Sequence, residues 1–268
     1  RQVNYAGSGR THPRHRAVAR APRNRARPNY LMLVCLFFAS VLVSGAASFA
    51  VKTPALEIKE VKIKGVRLAD RAAVEEAARS ALGRNILVLR KSPIISKIAS
   101  IHEVKSVRMG RSFPNGVWVR VWERKPDAVL TDGRVHFMVQ RDGFVFHKTG
   151  GAIRGLPTLS IPACTDLTAG RYARSESVVD ALEVLRCVRR EGLKADKISV
   201  DRGGDICLNM GGNFYVKIGQ PDEVAKKMSI LRSALIYKPS IAREAAYIDL
   251  TCPSAPVWKP KNVQQAAS

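Results

Sequence analysis

The side chains of this chain that could do chemistry are five histidines, five cysteines and a few aspartates at glycine-marked turns. His12, His15, His102, His136 and His147 show no metal-ligand spacing; His12 and His15 would share a helix face, but Pro13 stands between them. No two cysteines are spaced as C-x-x-C, so neither a zinc ribbon nor a thioredoxin-type redox site is expected. Gly203-Gly204 and Gly211-Gly212 lack the flanking glycines and lysine of phosphate cradles and read as turns. Asp132, Asp142 and Asp201 sit where a short carboxylate caps turn amides rather than exchanging protons with a substrate. Neither G-x-S-x-G nor H-E-x-x-H occurs. These residues point to a protein that is not an enzyme and needs no cofactor or metal. A periplasmic hydrolase or wall-binding enzyme stands as a third reading, which a deep pocket with convergent titratable groups would revive.

Charge says more than chemistry. Of 268 residues, 45 are Lys or Arg against 22 Asp or Glu, a formal net charge of +23. An anionic surface or partner is expected nearby. Residues 1–29 hold Arg1, Arg10, Arg14, Arg16, Arg20, Arg23, Arg25 and Arg27 and no acid, with no apolar period, so they read as a disordered tail. The chain opens on Arg1 rather than Met, and the tail is read as truncated or processed. Residues 30–51 carry no charge and, as a helix, would measure about 33 Å, matching a hydrocarbon core of about 30 Å. The arginines on one side of this segment place residues 1–29 in the cytoplasm and everything after Lys52 outside. Cleavage near Ser48-Phe49-Ala50 as a signal peptide is the competing reading, but the basic region and the apolar stretch are both longer than such peptides need. The tail adds nonspecific attraction to anionic lipid, and no specific nucleic-acid contact is expected.

The elements beyond the span alternate in a legible way. Residues 61–64 alternate apolar and basic as a half-buried strand ending at Gly65. Asp70 caps a helix whose Val74, Ala77, Ala78, Ala81 and Leu82 recur at helical spacing, and Gly83 ends it. Ser92-Pro93 opens a second helix with Ile94, Ile95, Ile98 and Ala99 on its apolar face. Residues 104–109 and 117–122 form a hairpin through Asn115-Gly116, with Val117, Val119 and Val121 on one face and Trp118, Arg120 and Trp122 on the other. That second face is either covered, by helix packing or by stacked arginine, or a contact surface; its burial decides. The result is a small α+β unit with helices on one side of a three-stranded sheet.

With Gly83-Arg84-Asn85, Phe113-Pro114 in the hairpin, Glu123-Arg124-Lys125-Pro126 at its exit and Asp142-Gly143-Phe144-Val145-Phe146 beyond, residues 57–147 resemble a POTRA module of the FtsQ/DivIB family of bacterial cell-division proteins. From there to residue 252 the likeness is one of architecture: strands at 128–131, 135–140 and 144–146, a helix over 176–191, strands around Ile198, Ile206 and Val216, a helix from Pro221 and a last strand at 246–250. The fold class is therefore α+β: disordered tail 1–29, transmembrane helix 30–51, POTRA domain 56–126, a β-rich second domain 127–252 and a flexible tail 253–268. The resemblance implies a non-catalytic scaffold of the divisome, single-pass in the cytoplasmic (inner) membrane and gathered at the septum. Its implied partners are FtsB/DivIC-like and FtsL-like bitopic proteins, with anionic lipid or wall polymer as a further candidate. The alternative is a POTRA-bearing transport or outer-membrane assembly factor, but the residues after Pro126 leave no room for a barrel.

The resemblance also places a partner site. The segment Ala246-Tyr247-Ile248-Asp249-Leu250 matches the family's C-terminal edge strand, which accepts a strand from the partner, so Tyr247, Ile248, Asp249 and Leu250, with Trp258 nearby, are the candidate contacts. Ile248 and its neighbours could equally complete the core. Cys164, Cys187, Cys207 and Cys252 would all lie outside the membrane, where three pairings are open to them.

Overall fold

The computed structural model describes residues 30–261; the basic tail 1–29 and the end of the C-terminal tail, 262–268, lie outside the described residues. Helix α1 (Tyr30–Lys52) runs 23 residues, about 34 Å at 1.5 Å per residue. Its described large side chains are exposed, Leu31 and Leu42 by 79% and 74%. Among the described residues no helix is long and apolar enough to cross a membrane.

The polypeptide after α1 is a compact unit of its own. It begins with β1 (Glu60–Lys64), α2 (Arg71–Arg79), α3 (Ser92–Ala99), β2 (Val104–Ser112) and β3 (Gly116–Glu123), whose sheet order is β1-β3-β2. β1 runs parallel to β3, and β2 antiparallel to it. The pleat sends Val117, Val119 and Val121 inward, where they form one core with Val74, Ala77 and Ala78 of α2 and Ile94 and Ile98 of α3. Asp70 starts α2 by accepting a bond of 2.9 Å from the Ala72 amide. The apolar stripe is narrower than the sequence pattern implies: α2 ends at Arg79, so Leu82 falls in the turn beyond it and is 40% exposed, and Ala99, the last residue of α3, is also on the surface. Gly65 is held to glycine twice over, by φ +93 and by the Val121 carbonyl standing where a Cβ would go.

Glu123 ties this unit together. Its Oε1 accepts the amides of Arg67, Leu68 and Ala69 at 2.7, 2.7 and 2.9 Å, fastening the end of β3 to the turn before α2. Burial pushes its carboxyl up, but the amides of Ala69, Arg67 and Leu68 together hold it below the usual carboxylate range. A depressed carboxyl stabilises the fold above its unfolded value, about 4.3, and that contribution drains away as pH falls through the folded value. Glu123→Gln is therefore expected to cost about 2–4 kcal/mol at neutral pH, since bonds to a charged acceptor exceed neutral ones. The gap to the wild type should begin to narrow below about pH 4 and close only as pH falls through the lowered folded value. Urea unfolding of the two proteins at both pH values checks it, and a gap that does not change with pH would count against the charge being the cause.

The chain leaves β3 through a pinned connection. Arg124 donates from Nε to the His102 carbonyl (3.0 Å) and from Nη1 to Gln140 Oε1 (2.8 Å), and its guanidinium lies 4.2 Å from the centroid of the Phe144 ring. His147 Nδ1 stands 2.9 Å from Glu103 Oε1, and Arg189 bonds both the carboxylate and the carbonyl of Asp127 at 2.8 and 2.6 Å.

A mixed ten-stranded sheet follows. Its strands are β4 (Ala128–Thr131), β5 (His136–Val139), β6 (Phe144–Thr149), β7 (Thr158–Ser160), β8 (Arg171–Tyr172), β9 (Lys197–Val200), β10 (Ile206–Asn209), β11 (Tyr215–Gly219), β12 (Ala245–Asp249) and β13 (Val257–Pro260). They lie in the order β13-β12-β11-β10-β9-β7-β4-β5-β6-β8. Helices α4 (Glu176–Arg190), α5 (Val224–Tyr237) and α6 (Ile241–Glu244) add Val178, Leu185, Met228, Leu231 and Ile241 to a core shared with Ile198, Leu208 and Val216. β7 joins the two halves by pairing parallel to both β4 and β9. One expectation is corrected here: residues 253–261 are not a frayed tail, because Val257–Pro260 pairs antiparallel with β12 and closes that end of the sheet.

Candidate partner-binding surface

The turn residues singled out for their chemistry serve the backbone. Asp132 Oδ1 accepts the Arg134 and Val135 amides, Asp142 that of Phe144, and Asp201 those of Gly203 and Asp205. Among the described residues no group of three or more His, Cys, Asp or Glu could hold a metal ion. All five cysteines are free; burial pushes the Cys164 and Cys207 thiols up, away from thiolate reactivity. A depression of about 570 Å³ beside α4 gathers Arg154, Arg189 and Lys194 around Leu156 and Leu185, with Asp196 its one carboxylate and no histidine or cysteine.

What remains is the end of the large sheet at β12. β12 pairs parallel with β11, Tyr215 opposite Tyr247 and Lys217 opposite Asp249, and antiparallel with β13, Lys259 opposite Tyr247 and Trp258 opposite Ile248. The expectation that residues 246–250 present an open edge is therefore corrected: both sides of β12 are hydrogen-bonded, and the free edge belongs to β13. Ile248 and Leu250 are 4% and 1% exposed and complete the core, as a strand with one buried face requires. Tyr247 and Asp249 are half-buried on the opposite face. There the Lys217 ammonium stands 4.3 Å from the Tyr247 ring centroid. Asp249 is pushed up by burial yet held low overall by Thr251, through its side chain and its amide, and by Lys217.

Register also separates the two aromatic anchors. Trp258 pairs with Ile248, so it lies on the helix side, with the Lys238 ammonium 4.7 Å from its ring centroid, while Tyr247 faces the other way. The two aromatics cannot form one flat patch; they bracket the sheet edge from both faces. The residues that sequence reasoning missed are Val257 and Lys259 of β13 and Tyr215 and Lys217 of β11, which share a face with Tyr247 and Asp249. Val257-Trp258-Lys259, framed by Pro256 and Pro260, is a short edge-strand signal that the proline-rich surroundings mask.

Comparison with known proteins bears out the resemblance read from residues 57–147. The model of the FtsQ-type POTRA domain matches residues 56–124. The chain is 25% identical over 240 residues to the cell division protein FtsQ of Streptomyces bingchenggensis, covering 88% of this chain and 87% of that one. The cell division protein FtsQ of Streptomyces coelicolor is likewise 25% identical over 239 residues, 85% of this chain and 88% of its own. That of Mycobacterium tuberculosis is 25% identical over 201 residues, 74% of this chain and 60% of the relative.

Proposed function

This chain carries an FtsQ-type POTRA domain and is a relative of the FtsQ cell-division proteins, and from that premise we propose that it is a non-catalytic scaffold joining membrane-anchored division proteins as the septum assembles. The observation that carries the reading is architectural: an FtsQ-type POTRA sheet leads into a second sheet that ends in a short strand with an open edge. Residues 56–126 and 127–252 act as two binding modules, with β13 extending the second one beyond residue 252.

Helix α1 is the anchor. It has no charged residue from position 30 to 51, and its described apolar side chains are exposed on every face, an arrangement that water does not favour and lipid does. The arginines ahead of it place the N-terminus in the cytoplasm and both sheets outside. In this reading the protein sits single-pass in the cytoplasmic membrane and gathers at the division septum.

The partners are FtsB/DivIC-like and FtsL-like bitopic proteins, received at the β12–β13 end of the sheet. An edge strand supplies main-chain hydrogen bonds, and the side chains on its two faces supply selectivity. Tyr247 and Asp249 contact the partner from one face and Trp258 from the other, while Ile248 and Leu250 hold the strand in place from the core. The test is a photo-crosslinking side chain at Tyr247 or Trp258 in dividing cells, with Lys148 near the far end of the sheet as control. Short bitopic division proteins should be captured from the first two positions and not from Lys148. Equal capture from all three, or normal septation after depletion of the protein, would overturn the proposal.

A further inference from the structure

The POTRA sheet turns its valines toward the helices and leaves the other face bare, and that face has an unusual make-up. In register, Lys62 lies beside Trp118 and Lys64 beside Arg120; across the hairpin, Trp118 faces Gly110, Arg120 faces Arg108 and Trp122 faces Ser106. The two indoles are 40% and 38% exposed, so no helix covers this face, and arginines rather than apolar side chains flank Trp122. The Arg108 and Arg120 guanidinium groups lie 5.5 and 6.0 Å from the Trp122 ring centroid. Trp118 lies over Gly110, where any Cβ would meet its ring, so the indole is held flat on the sheet.

Four cations share this face with one acid, Glu60, and that acid is taken by Lys62 at 3.3 Å. Two arginines placed directly opposite each other repel, a cost that a bound anion removes. A cleft of about 330 Å³ among Lys62, Lys64, Ser112, Trp118 and Arg120 offers the Lys64 ammonium, a guanidinium and a hydroxyl beside an aromatic wall, with the Lys62 ammonium shared with Glu60. That is a setting for a phosphodiester carrying an apolar neighbour.

The sequence supplies the source of that phosphate. Only residues 53–59 separate α1 from β1, and seven residues reach at most about 25 Å. In sequence, the first strand of this face thus follows α1 after only a short connection. We infer that the outer face of the POTRA sheet, through Lys62, Lys64, Arg108, Arg120, Trp118 and Trp122, binds the anionic phospholipid headgroups of the membrane that α1 enters. The inference rests on the reading of α1 as a membrane anchor.

Among the described residues neither core includes a residue of α1, so the fragment 53–268 serves for the test once it shows a cooperative melting transition of its own. It should co-sediment with vesicles of mixed phosphatidylglycerol and phosphatidylcholine and not with phosphatidylcholine alone, and Trp fluorescence should shift to the blue on binding. Neutralising the face (K62Q/K64Q/R108Q/R120Q) should weaken partition at least about tenfold, given several-fold per basic residue at an anionic surface. The same charge change at Lys148, Lys194, Lys197 and Arg202 should weaken it less than about threefold, and both variants must keep the wild-type melting transition; Trp118→Ala serves if the fourfold variant does not. Equal weakening by both sets, or binding to insoluble wall polymer with none to vesicles, overturns the inference. Alkaline carbonate extraction of the full chain tests the anchor separately: release from membranes defeats that reading, while the vesicle experiment still decides the face.

Discussion

Lys227→Met is expected to lower the stability of the large sheet by about 2–5 kcal/mol, or roughly 5–15 °C in melting temperature. Lys227 lies on α5 with a side chain that is 0% exposed, the buried cation of this core. Its ammonium donates to the carbonyls of Ile218 and Gln220, each at 3.0 Å, and to the Asp222 carboxylate. It thereby closes the end of β11 against the start of α5, where Glu223 takes a left-handed conformation at φ 44. Methionine keeps most of the stem packing and removes only the donor, so the loss reads the two stranded carbonyls. Asp222, held low chiefly by the Lys227 hydrogen bond, is 64% exposed and returns to water when the ammonium goes, so it adds little. Circular dichroism melts of the two proteins check this. An unchanged transition would mean that the carbonyls find water at once and that the bonds hold nothing.

Lys227 also shows where sequence reasoning runs out. The helix from Pro221 was legible through Val224, Met228, Leu231 and Leu235, and a lysine between them reads as surface. Only the tertiary placement of β11 turns it inward. The POTRA unit was more legible because its signals are local: a capping Asp70, apolar residues at helical spacing, and alternating valines on β3. β7 and β8 escaped notice because three and two residues leave no period to read, yet β7 is the strand that makes one sheet of ten. β13 escaped because prolines frame its short signal and its residues are all exposed, so no buried face marks it as a strand. The consequence fell on the candidate site: Tyr247, Ile248 and Asp249 lie on β12, which is paired on both sides, and the edge is one strand further out, at β13.

Ala78→Asp is expected to unfold the POTRA unit while sparing the second sheet. Ala78 is 0% exposed on α2, inside the core that Val74, Ala81, Ile98 and Val119 share. A carboxylate there either stays charged without a partner or takes up a proton, and an unbonded polar group so placed costs about 2–7 kcal/mol. The three-stranded sheet rests on a core of modest size, so a loss of that order takes up most of what a domain of this length holds in reserve. The second core contains none of these residues, and the Arg124 connection joins the two units by surface hydrogen bonds and a ring contact rather than by shared apolar packing. Hydrogen exchange should therefore become fast across α2, α3 and β1 to β3 while amides of α4, β9 and β10 stay protected. Loss of protection in both regions together would show that the two sheets fold as a single cooperative unit, and retained protection in α2 would show that the core admits the carboxyl. Because acid returns the new side chain to its neutral form, part of the lost protection should reappear below about pH 5.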